Sequence, residues 1–238
     1  MKVIDIRKDG QSEIRRHEGE EILVKGCLGE RYIGEGLKSG RMHIEGTPGN
    51  ALASYLDGGE IYVDGNVQDA VADTMNAGLL AVKGSAGDAL CYGMRGGKVY
   101  ILGNAGYRAG VHMKAYEEKK GILVIGGKTG SFLGEYLAGG MIIVLGLGYE
   151  GERITGYFCG NGMYSGTIYL RSGEMPPNLS EKLKSRYVGD MEKEEVISPV
   201  VTDFAHRFGL SPKRCLEGTF IAIEPDESKT NSQLYVAV

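Results

Sequence analysis

Glycine recurs along this chain at a fixed interval, and that period limits its fold more tightly than any other feature. Gly40, Gly59, Gly78 and Gly97 stand 19 residues apart, followed by Gly121 after 24, Gly140 after 19 and Gly166 after 26. The two longer intervals are the same unit carrying five and seven inserted residues. Two and four residues beyond each glycine the side chains are apolar, and six beyond comes another glycine: Met42/Ile44/Gly46, Ile61/Val63/Gly65, Leu80/Val82/Gly84, Val99/Ile101/Gly103, Leu123/Ile125/Gly127 and Ile142/Val144/Gly146. Ile168/Leu170 follow with Ser172 in place of the glycine, and Ile22/Val24/Gly26 precede them, giving eight tiers. A second register places a small residue at Gly34, Ala53, Ala72, Cys91, Gly110, Gly134 and Gly160, each followed three residues later by Leu or Met.

A unit of 19 residues is too short to bury a core of its own, so it must stack on its neighbours. The alternating apolar pair is the period-2 signature of a strand showing one face to a core. Glycine on either side supplies positive φ or close backbone approach at a corner, where a Cβ would meet the tier above. Successive strands at one corner are then parallel, and such crossovers are right-handed. The fold class expected is all-β: a right-handed, single-stranded parallel β-helix of about seven turns, rising ~4.8 Å per turn. The small residue of the second register lets the far wall approach the core, and the Leu or Met beside it fills the space. Abundant glycine argues against a helical solenoid, and a collagen rod would need a G-x-y period.

Of the 39 glycines, 36 lie in residues 1–173, which sets a boundary near Pro176-Pro177. The expected organisation is an N-terminal cap over 1–20, the repeat over 21–175 and a C-terminal helical cap and tail over 176–238. Val3, Ile4 and Ile6 suit an extra edge strand covering one open end, which would otherwise invite aggregation. At the other end, Ser198 as N-cap, Pro199 at the first helical position and Gly209 past the end frame a helix over 199–208. Val201, Phe204, Ala205 and Phe208 share one of its faces and must dock on the last coil or on a partner. Thr219 to Ile223 reads as a strand, and Pro225 to Gln233 as a polar tail.

The 27 basic and 31 acidic residues leave a formal charge of −4, without a basic block that would grip nucleic acid or an anionic bilayer. The apolar runs are short and the N-terminus lacks a signal-peptide core, so a cytoplasmic protein is expected. Cys27, Cys91, Cys159 and Cys215 are 64, 68 and 56 residues apart, which provides no dithiol, zinc or cluster motif and suits buried reduced thiols. His17, His43, His112 and His206 are scattered likewise. Asp203 and His206 share a helix face as a surface pair rather than a catalytic dyad.

Gly146-Leu147-Gly148-Tyr149-Glu150-Gly151 satisfies G-x-G-x-x-G after a strand, but no helix follows and no acid lies at the required distance, so it reads as repeat punctuation. Gly126-Gly127-Lys128-Thr129 lacks the first glycine of a P-loop, where Ile122 stands. The two insertions, Lys114 to Lys120 and Tyr149 to Phe158, sit where repeat proteins carry binding loops. Tyr116, Arg153, Tyr157, Phe158, Phe204 and Phe208 are therefore the expected partner contacts.

The runs Gly96-Gly97-Lys98-Val99-Tyr100-Ile101-Leu102-Gly103-Asn104-Ala105-Gly106 and Gly139-Gly140-Met141-Ile142-Ile143-Val144-Leu145-Gly146 resemble the G-x-x-G-x-x-x-G repeat domain at the C-terminal end of the glutamate synthase large subunit. The likeness covers residues 20–173, and the same repeat occurs in one of the subunits of formylmethanofuran dehydrogenase. Ile223-Glu224-Pro225 ahead of Leu234-Tyr235 resembles the ending of stand-alone archaeal-type versions of the glutamate synthase domain. The resemblance implies a scaffold subunit in an oxidoreductase complex that forms glutamate from glutamine and 2-oxoglutarate. Glutamine amidotransferase and FMN-dependent synthase chains would be its partners, and the FMN and iron–sulfur cluster would lie in those chains. This chain has Lys2 where the amidotransferase nucleophile would stand and lacks a cysteine triplet, so the resemblance implies a chain without the family's catalytic residues that is expected to bind no cofactor itself. The alternatives are the equivalent subunit of a formylmethanofuran dehydrogenase-type complex and an independent enzyme; self-association is left open.

Overall fold

The structure, a computed structural model, describes residues 1–226 together with 228 and 229. The period-2 segments form strands β1 (Lys2–Asp5), β2 (Glu21–Leu28), β3 (Arg41–Thr47), β4 (Asp57–Val63), β5 (Ala77–Val82), β6 (Lys98–Ile101), β7 (Ile122–Ile125), β8 (Ala138–Val144) and β9 (Ser165–Leu170). Each pairs in parallel with the next in chain order, which makes the chain a parallel β-solenoid. The first apolar position of every tier falls into one column: Ile22, Met42, Ile61, Leu80, Val99, Leu123, Ile142 and Ile168. Every member is buried, as are the second positions from Val24 to Leu170.

Glycine is only part of how the chain turns its corners. Sixteen residues other than glycine among those described also adopt positive φ, including Ala53, Ala72 and Cys91 of the small-residue register. Each such residue costs roughly 1–2 kcal/mol when isolated, but thirteen of them donate their N–H to the carbonyl of a neighbouring turn. The Ala53 N–H donates to the Ile33 carbonyl at 2.8 Å and the Tyr55 N–H to the Asp73 carbonyl at 2.8 Å. Two side-chain ladders run beside them. Asn66, Ser85 and Asn104 accept the N–H of Ser85, Asn104 and Lys128, while Asn50, Asp69 and Asp88 accept that of Asp69, Asp88 and Tyr107.

Both ends of the core are plugged. The expected edge strand over the first residues is β1, and the polar run after it folds into α1 (Ile6–Asp9) and α2 (Ser12–Arg16), whose Ile6 and Ile14 join the core. At the other end Leu179 and Leu183 pack against it. There the sheet reverses: β10 (Leu183–Tyr187) and β11 (Ile221–Pro225) add antiparallel, in the order β9-β11-β10. β11 is the strand expected from Thr219, entered two residues later; Pro225 ends it, and most of the expected polar tail lies outside the described residues.

The C-terminal helix starts earlier than its capping signals indicate. Ser198 is not an N-cap: α3 (Asp190–Glu192) runs through a π-helical segment, Lys193–Ile197, into α4 (Ser198–Arg207), and α5 (Pro212–Leu216) follows. The wider π turn precedes Pro199, which has no N–H to return to the preceding turn. α4 lies on the outer face of the solenoid sheet, where Val201, Phe204 and Ala205 share a second buried cluster with Leu79, Ala81, Tyr100, Val124, Ile143 and Tyr169.

Candidate interaction surface

The helix α4 closes one wall of the solenoid with its own side chains. Phe204 is completely buried, its ring 5.7 Å from that of Tyr100 at 79°. Phe208 is half-buried against Phe204, with ring centroids 5.0 Å apart. Phe204, expected as a partner contact, is enclosed within the chain, and the helix face expected to dock on the last coil or on a partner docks on the outer face of the sheet. Asp203 pairs elsewhere than with His206, which is exposed. Its carboxylate accepts from Lys98 Nζ and the Tyr100 hydroxyl at 2.9 Å each, and from Arg207 Nε at 3.0 Å. Arg207 reaches on to the Tyr62 hydroxyl at 2.6 Å, which donates to Glu60 at 2.9 Å. Burial pushes the Asp203 carboxyl up, but the donors from Lys98, Tyr100 and Arg207 outweigh it and hold the group below its ordinary value. Burial and the bond to Asp203 push the Tyr100 hydroxyl up.

A different wall remains open. Its turns span residues 31–38, 50–57, 69–76, 88–95, 107–114, 131–138 and 157–164, stacked through their left-handed residues. Bonds from the N–H of Arg108 to the Ser131 carbonyl and of Phe132 to that of Tyr157 keep the columns in register. One column holds Arg108, Phe132 and Phe158; another holds His112, Tyr136 and Gly162. The Phe132 and Phe158 rings stack 5.2 Å apart at 20°, and Arg108 lies over Phe132 at 5.1 Å. His112 stacks on Tyr136 at 5.1 Å and meets the edge of Tyr92 at 5.6 Å. Gly162 is needed here, since a Cβ would stand 2.6 Å from the Tyr136 ring. Tyr92, Tyr107, Tyr136, Tyr157 and Phe158 are each 43–56% exposed. Aromatic rings and arginine grouped this way on a surface are the composition of binding hot spots.

Three of the expected contact residues meet on this wall. Tyr157 and Phe158 belong to the regular turn rather than to the insertion, and Arg153, at the end of the insertion, lies 5.5 Å over the Tyr157 ring. Tyr116 stands apart, exposed on a hairpin closed by bonds of 3.1 and 3.0 Å between Tyr116 and Lys119. Tyr92, Arg108, His112, Phe132 and Tyr136 were not among the expected contacts. Their signal is in the spacing: His112 and Tyr136 are 24 apart and Phe132 and Phe158 are 26 apart, the intervals of the glycines beside them.

Other chemistry is muted. All four cysteines are buried and free. Burial, with a bond donated to the Glu30 carboxylate, pushes the Cys27 thiol up to about 12, and burial alone pushes Cys159 up to about 12, so neither offers a thiolate nucleophile. Among the described residues no three His, Cys, Asp or Glu side chains converge as metal ligands. The loop after Gly146 rims an open groove of about 480 Å³. Arg171 spans it and gives its guanidinium to the carbonyls of Leu145, Gly146, Arg214 and Glu217, tying the loop to α5. No helix of the described residues is long and apolar enough to cross a membrane.

Comparison with known proteins gives a consistent family picture. The chain is 40% identical over 227 residues to the uncharacterized protein MJ1350 of Methanocaldococcus jannaschii, covering 91% of this chain and 85% of that one. Among solved structures, a chain of the formyltransferase/hydrolase complex from Methylorubrum extorquens, crystallised with methylofuran, matches with a TM-score of 0.62 at 20% identity. That match covers 84% of this chain and 71% of the other, and shows a shared fold. The family described as GXGXG motif matches residues 14–225, the solenoid from β2 onward with its C-terminal helices and β11. This chain belongs to the GXGXG motif family.

Proposed function

We propose that this chain is a non-catalytic scaffold subunit of a multichain complex of the glutamate synthase type, assembling with separate amidotransferase and FMN/iron–sulfur chains in the cytoplasm. The observation that carries the scaffold reading is the repeat itself, a GXGXG solenoid over residues 14–225 whose fold is shared with a chain of a multichain complex. The glutamate synthase context rests on the resemblance of the Gly96 to Gly106 and Gly139 to Gly146 runs. In this reading the chain binds no cofactor, and the flavin and cluster belong to its partners.

A second reading has its own support. The fold is shared with a chain of a formyltransferase/hydrolase complex, which favours the equivalent subunit of a formylmethanofuran-type complex. Affinity capture of the tagged full chain from its native cells, with mass identification of co-purifying chains, separates the two. Amidotransferase and flavin-synthase chains are the expected result; formyltransferase, hydrolase or molybdenum or tungsten dehydrogenase chains would move the assignment to the second reading. An empty lane, with the chain intact and folded, would overturn both.

A further inference from the structure

The open wall is complementary to itself. In the column of left-handed residues beginning at Tyr32, turns 2 to 4 carry Ala51, Ala70 and Ala89, whereas turns 5 to 7 carry Arg108, Phe132 and Phe158. In the second column, turns 2 to 4 carry Tyr55, Thr74 and Gly93, and turns 5 to 7 carry His112, Tyr136 and Gly162. A two-fold axis lying in the plane of the wall, across the solenoid between turns 4 and 5, keeps each column facing itself and reverses the turn order. It sets Ala89 against Arg108, Ala70 against Phe132 and Ala51 against Phe158. In the second column it sets Gly93 against His112, Thr74 against Tyr136 and Tyr55 against Gly162. Large meets small at five of these six positions, and Thr74 meets Tyr136 at the sixth.

Charge divides between the same halves only in sum, since the axis also sets Arg95 against Lys114 and Asp73 against Glu135. Turns 2 to 4 place Asp57, Asp69, Asp73 and Asp88 on the wall against Arg95 alone, while turns 5 to 7 carry Arg108 and Lys114 with Arg153 beside them. Their one acid, Glu135, already pairs with Arg108 at 3.5 Å. Six turns at ~4.8 Å each and a width of ~20 Å offer about 600 Å² per copy, so a dimer would bury about 1,200 Å², enough for a specific interface. An interface related by a two-fold axis must be self-complementary in this way.

We infer that the occupant of this wall is a second copy of the chain, docked antiparallel with turns 2 to 4 of each copy on turns 5 to 7 of the other. The inference does not depend on which complex the chain serves, and the Tyr116 to Lys119 hairpin, which stands apart from the wall, remains free for other partners. Sedimentation of the purified full chain at tens of micromolar reads it directly, with no partner present. The wild type is expected to be a dimer, and A70F to weaken it at least ~100-fold by setting Phe against Phe. The backbone at position 70 accepts a ring, since Phe132 and Phe158 hold the equivalent left-handed positions in their own turns. The double variant A70F/F132A exchanges large for small and is expected to dimerise again, a rescue that a general loss of folding would not give. A monomeric wild type, a dimer unaffected by A70F, or a double variant no tighter than A70F would each overturn the inference.

Discussion

Glycines at equivalent repeat positions are not equivalent residues. Gly78 has φ +93, and a Cβ there would lie 2.6 Å from the Gly59 carbonyl oxygen, so both conformation and space demand glycine. Gly121 occupies the same repeat position after the first insertion, without positive φ, and its Cβ would meet the Met113 methyl end and Met94 Cγ at 3.2 Å each. Backbone in a stacked turn cannot retreat, whereas a methionine end can. Gly78→Ala is therefore expected to cost about 2–4 kcal/mol, the sum of overpacking and left-handed strain. Gly121→Ala should stay within about 1 kcal/mol. Thermal melting of the two variants checks this, and equal losses would show that the inserted residues do not relax the corner.

At the scale of the element, the docking of α4 on the sheet combines an apolar seal with a polar lock. Asp203 is held below its ordinary value, burial being outweighed by its three donors. For Glu60, burial is likewise outweighed, here by Tyr62 and Arg41, while Arg186 leads in lowering Glu192. Carboxylates with depressed folded values contribute stability that is present above roughly pH 4 and lost as pH falls below it. The Tyr100 and Tyr169 hydroxyls are pushed up by burial and by their bonds to Asp203 and Glu192, so their contribution is present below about pH 10 and lost as pH rises beyond it. Asp203→Asn should cost about 1–3 kcal/mol near neutrality and flatten the fall in stability between pH 5 and pH 2. Denaturant unfolding across that range tests both, and an unchanged acid slope would assign the acid sensitivity to other carboxylates.

For the molecule as a whole, the outer sheet face is as much a core as the interior. Tyr100, Val124, Ile143 and Tyr169 are 0–4% exposed because residues beyond 187 cover them. A chain ending at residue 175 would keep the glycine repeat, yet it would bare that face and lose Leu179 and Leu183 from the end of the interior. Such a truncation is expected to aggregate, since a large exposed apolar patch beside an open sheet edge drives association. Light scattering of the truncated chain against the full one measures it; a monodisperse truncated solenoid would show that the repeat is self-sufficient.

The period of 19, the inward alternation from Ile22 to Leu170 and the two insertions are local or periodic facts, and a sequence displays them directly, so the solenoid and its strand register were legible from residues alone. An amphipathic helix near 199–208 was legible for the same reason. What covers its apolar face was not, because Tyr100 and Phe204 are 104 residues apart and only the closed fold brings them together. The π-helical turn ahead of Pro199 was hidden because it answers to packing on the sheet rather than to a capping signal. The wall was half-legible: its spacings of 24 and 26 are in the sequence, but that alanines of turns 2 to 4 share a surface with the rings of turns 5 to 7 is settled by stacking. Periodicity determines which residues align. Only the three-dimensional closure of the chain decides which aligned faces are buried by its own helices and which stay open.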